Sequence, residues 1–80
     1  MEIDYKSEDV ATATTNTLDW AFKLGYGDLK SARIAYRACT KKGLIGKDGW
    51  AESWMLWMDL RGLSEYADKF IEMGKNGETI

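Results

Sequence analysis

Not one proline occurs in the 80 residues, and the eight glycines fall mostly in short clusters that leave long runs free of chain breakers. A turn-rich β protein needs more punctuation than that, so the chain reads as all-α. With 45% hydrophobic residues, including four Trp and four Tyr, it is too apolar to stay disordered. Its length suits one domain over 1–80, near the lower size at which a core sustains itself. The expected architecture is a compact three- to four-helix bundle.

Periodicity places helices at about 7–24, 29–42, 49–61 and 63–73. Ser7 is positioned to cap the first, with Glu8 and Asp9 in its opening turn. Val10, Ala13, Thr17, Ala21 and Leu24 form its apolar face, widened by Leu18 and Trp20. Gly25-Tyr26-Gly27 ends it, and Asp28 is expected to cap the second helix, which buries Leu29, Ala32, Ala35, Tyr36 and Cys39. Leu44 and Ile45 should plug the core from the following loop, and Asp48 should cap the third helix. That helix is apolar nearly all round except for Glu52 and Asp59. The fourth points Leu63, Tyr66, Ala67, Phe70 and Met73 inward. Residues 74–80 have no periodicity and are read as a flexible tail.

The chain contains no histidine, which removes the commonest general base and metal ligand together. Cys39 is its only cysteine, too few for a zinc site, and its apolar neighbours mark it as core. Gly25-Tyr26-Gly27 lacks the preceding strand and further glycines of a phosphate loop. No carboxylate pair is held by its spacing in a pocket. The reading is therefore a non-enzyme with no cofactor and no metal. One unpaired cysteine, no signal-like N-terminus and no apolar run of about 20 residues point to a cytoplasmic protein outside the membrane.

Three surface features remain. Lys30, Arg33, Arg37 and Lys41 are spaced by three, four and four, which aligns four cations along one edge of the second helix. Between Asp28 and Lys47 six basic residues face one acid, a local charge of +5 that leaves −7 for the rest of a chain of net −2. Either neighbouring acids such as Asp19, Glu52 or Asp59, or solvent, offset the stripe, or it meets a negative partner. The second feature is Trp50, Trp54 and Trp57, of which at least two belong to a core; the alternative is that one Trp, with Met55 or Met58, stays exposed as an interface anchor, Met55 before Met58. The third is an acidic ridge of Glu65, Asp68 and Glu72, read as a solvated face or as a mimic of nucleic-acid phosphates.

The function expected is binding by surface occupation, with another protein as partner. One form is an inhibitor made by a phage or other mobile element against a host defence system. The alternative is a nucleic-acid-binding module using the basic stripe, which the sequence pI near 5.0 and the lack of Asn or Gln on the second helix oppose. A third reading, self-association through the third helix, would make stability depend on concentration.

Overall fold

Four helices form because four breaker-free segments each carry an apolar face. The computed structural model describes residues 7–79 and places α1 at Ser7–Lys23, α2 at Asp28–Lys41, α3 at Trp50–Leu60 and α4 at Ser64–Lys75. The fold is an all-α single-domain bundle, with no strand among the described residues. Its Cα radius of gyration is 11.4 Å, within the 11 to 12 Å expected of a folded domain of about this size. α1 packs against α2 and α3, while α4 packs mainly against α3 and more lightly against α2.

Three helices end in the same device. After α2, the Leu44 N–H donates to Cys39 O at 2.9 Å and the Gly43 N–H to Thr40 O at 3.1 Å. This is a Schellman motif, which satisfies carbonyls the helix would otherwise leave bare and turns the next residue inward. Gly43 has φ +72°, a conformation that costs a side-chain-bearing residue free energy. The inward residue here is Leu44, which is fully buried. After α3 the pattern repeats through Leu63 to Met58 at 2.9 Å and Gly62 to Asp59 at 2.9 Å.

It occurs a third time after α4, where Glu78 donates to Met73 O at 2.9 Å and Gly77 to Gly74 O at 3.2 Å. The segment expected as a tail from Gly74 therefore continues as helix to Lys75 and as a hydrogen-bonded turn to Glu78. Gly74 and Lys75 complete α4, and the Tyr36 hydroxyl donates to Glu78 O at 2.6 Å, which ties the C-terminal turn to α2. Ile80 lies outside the described residues.

The beginnings of the helices depart from expectation. Gly27 is the N-cap of α2 and Gly49 of α3, neither with a side-chain cap bond, so Asp28 and Asp48 do not cap. Asp28 instead opens α2 from within its first turn, where a carboxylate still meets the positive end of the helix dipole. The capping role assigned to Ser7, with Glu8 and Asp9, rests on side chains outside those described.

The core is aromatic. Trp54 is fully buried, with ring centroids 5.4 Å from Trp50, 5.7 Å from Phe70 and 6.3 Å from Tyr36. One residue thus joins α2, α3 and α4. Buried Thr14 and Thr17 return their hydroxyls to Val10 O and Ala13 O, each at 2.7 Å, so α1 buries them without losing hydrogen bonds.

α4 comes close to the Trp50 ring through Gly74. A Cβ there would sit 2.9 Å from Trp50 Cζ3 and 3.2 Å from Ile45 Cγ2. Alanine would gain about 1 kcal/mol in helix propensity but would overpack a buried indole at a cost of about 1 to 3 kcal/mol. Gly74→Ala is expected to lose about 1 kcal/mol net, seen as a lower urea midpoint. An equal or higher midpoint would show that the indole yields.

Candidate partner-binding face

The second helix turns its small residues and Tyr36 to the core, so its longest cations are left on the opposite side. Ser31, Ala32, Ala35, Tyr36 and Cys39 are buried, whereas Lys30, Arg33, Arg37 and Lys41 are all exposed. No carboxylate among the described residues lies within ion-pairing distance of these four. The ion pair that is present joins Lys23 to Asp19 at 3.0 Å, and Asp59 accepts the Ser64 hydroxyl at 2.6 Å. Asp19 and Asp59 are thus engaged elsewhere, and neutralisation of the stripe by Asp19, Glu52 or Asp59 does not occur within this set. Lys42, basic but outside the stripe, donates to Thr17 Oγ1 at 2.8 Å.

Two open hollows run along this face. The larger, about 680 Å³, is bounded by Tyr26 and Leu29 with Lys30, Arg33, Ile34 and Arg37. The smaller, about 260 Å³, lies between Trp20 of α1 and Arg37, Ala38 and Lys41 of α2. They share Ile34 and Arg37, so the four cations border two adjoining hollows, together a trough with Tyr26 beside one part and Trp20 beside the other. Lys30 Nζ sits 4.9 Å from the Tyr26 ring centroid, a cation–π contact that orders both side chains.

Trp20 is 50% exposed, Tyr26 56% and Leu29 46%. Periodicity assigns Trp20, Leu24 and Leu29 to apolar inward faces, but all three are exposed. The structure corrects all three. The last turn of α1 and the first of α2 run into the connecting turn, where no other helix covers them. A signal for Trp20 was present, since Asn16, Trp20 and Lys23 fall at i, i+4 and i+7 on a polar line.

Met55 is corrected as well. It is half-buried and packs against the core, whereas Leu56 and Leu60 are exposed, Leu60 by 78%. Leu56 and Leu60 line a separate groove of about 400 Å³ between α1 and α3, with Thr12, Thr15, Asn16 and Trp57. Trp57 is itself covered by the Arg61 guanidinium, 4.5 Å from its ring centroid. Glu65, Asp68 and Glu72 are exposed on α4 and line neither of the α2 hollows.

Cys39 belongs to the packing and not to this face. It is fully buried, and burial raises its thiol to about 11 against the smaller opposing pulls of Trp50, Lys42 and Thr17. A thiol held protonated in this way is inert at neutral pH. No helix among the described residues is long and apolar enough to cross a membrane. No protein-family model matches this chain, nor does any curated protein or solved structure.

Proposed function

We propose that this chain is a non-enzymatic binding domain that acts by occupying a negatively charged surface of a partner protein through α2. One observation carries the reading: four exposed cations without carboxylate partners among the described residues border a trough with half-exposed Trp20 and Tyr26. Arginine, tryptophan and tyrosine beside one another are the composition of interface centres, where desolvated rings anchor and charges orient. The setting proposed for such surface occupation is inhibition in the cytoplasm, as when a phage or other mobile element blocks a host defence protein.

The reading is tested by capture from the native host with the wild type and with Arg33→Glu/Arg37→Glu, followed by titration of the captured protein. Exposed charges contribute little to folding, so the double variant should keep its helical spectrum. It should bind at least tenfold more weakly, and wild-type affinity should fall as salt rises. Equal affinity of the two proteins for the captured partner would remove α2 from the site and leave Leu56, Leu60 and the ridge of Glu65, Asp68 and Glu72 to be examined.

The exposed rings favour a second reading, since bases of a single strand could stack on Trp20 and Tyr26. The −7 carried by the rest of the chain opposes it. Four phosphate contacts would give a slope of about −2.8 for log affinity against log salt with a single strand, and about −3.6 with a duplex.

A further inference from the structure

We infer that the element of the partner seated in the α2 trough is an acidic amphipathic helix, an inference that rests on the protein-binding reading above. The first argument is register. With a rise of about 1.5 Å per residue, Lys30, Arg33, Arg37 and Lys41 succeed one another at about 4.5, 6 and 6 Å along α2. A partner helix with carboxylates every three or four residues repeats at the same distances along its own axis.

The second argument is the floor. Ile34 and Ala38 are half-buried between the cations and Trp20, and Tyr26 and Leu29 close the other end. Apolar residues at i, i+3 or i+4, and i+7 of a docked helix fill such a sequence of hollows, with its acids left to reach the cations at the edge. Charge selects the sign, because Asp28 is the sole acid among the described residues that border either hollow.

The third argument separates a helix from an extended segment. One common way for an extended peptide to pair its backbone is to add to a sheet edge, and the described residues contain no strand to offer one. A helix satisfies its own backbone and asks only for side-chain contacts. The wall facing it is itself a helix, against which ridge-into-groove packing is the ordinary solution.

The experiment uses the full chain and four probes. Three are labelled peptides of about 15 residues: one with leucines on a helical stripe flanked by glutamates, one of the same composition with positions scrambled, and one with lysine in place of glutamate. The fourth is oligo(dT) of matched length. Fluorescence anisotropy gives affinity, and circular dichroism gives the helicity the peptide gains. The patterned acidic peptide should bind at least tenfold more tightly than the scrambled and lysine peptides and gain helicity. Arg33→Glu/Arg37→Glu should weaken it at least tenfold, and Trp20→Ala or Leu29→Ala severalfold.

Equal binding of patterned and scrambled acidic peptides would overturn the helix, because charge alone would then be read. So would failure of every peptide while the native partner is still captured through Arg33 and Arg37, and in both cases the protein-binding reading would survive. Binding of oligo(dT) more tightly than any peptide would overturn both.

Discussion

Replacing Trp54 with alanine is expected to remove about 3 to 5 kcal/mol of folding stability, the range for deleting a buried aromatic side chain. Trp54 is fully buried and its ring meets those of Tyr36 on α2, Trp50 on α3 and Phe70 on α4. A cavity at this point faces three helices at once, and a close-packed core relaxes only in part around such a gap. A domain of this size holds on the order of 4 to 12 kcal/mol in all, so the variant should keep at best a narrow folded range in urea. One term acts in the opposite direction. The Trp54 indole N–H is buried without a hydrogen-bond partner among the described residues, a burden of about 1 to 3 kcal/mol that disappears with the ring. Trp54→Phe separates the two effects, because it keeps most of the apolar area and removes the orphaned donor. It should cost less than about 2 kcal/mol. Urea titrations of the three proteins give the comparison directly, and an alanine variant within about 1 kcal/mol of wild type would mean that the ring cluster is not the keystone of the bundle.

The helices and most of the core were legible because the same residues specify both. Leu18, Ala21, Tyr36, Cys39, Ala67 and Phe70 fall at helical spacing and are all buried, and Leu44 plugs the core from its loop. The C-terminal stops were legible in principle too. Lys75-Asn76-Gly77 repeats the helix-end pattern of Lys41-Lys42-Gly43, and the reading of a flexible tail overlooked a glycine at the position a Schellman turn requires. Periodicity could not show how far each helix outruns its neighbours. Leu24 and Leu29 are apolar and correctly phased, yet they stand at the α1–α2 turn, where the described residues leave each of them exposed. The same limit misplaced the exposed residue of α3. Met55 and Leu56 differ by 100° on the helix, and which of them faces solvent depends on where α1 and α4 lie, a tertiary fact. The basic stripe was visible from spacing alone, but the rings that turn it into a trough come from α1 and from the turn, outside α2 itself.

Raising the pH from 9 to 11 is expected to cost the protein about 2 kcal/mol through Cys39 alone. Burial raises the thiol from an ordinary value of 9.0 to about 11, outweighing the Trp50, Lys42 and Thr17 contacts that favour the thiolate. Below pH 9 the thiol is protonated both folded and unfolded, and the linkage term is zero. Between 9 and 11 the unfolded chain releases the proton and the native chain keeps it. The unfolded state then binds fewer protons, so stability falls as pH rises. The loss reaches about 2 kcal/mol at pH 11, where the native thiol is itself half ionised, and levels off above that pH. Tyr36, raised first by burial and then by the nearby Glu78 carboxylate, shifts in the same sense and adds to the alkaline loss. Cys39→Ala isolates the thiol. It should be less stable than wild type at pH 7 by about 1 kcal/mol, because a buried cysteine packs as a small apolar residue, and it should lose less on going to pH 11. The two stability curves should therefore cross between pH 9 and 11. Parallel curves would mean that the native thiol ionises as readily as the unfolded one, and rapid modification of Cys39 by a thiol reagent at pH 8 under native conditions would place it at the surface.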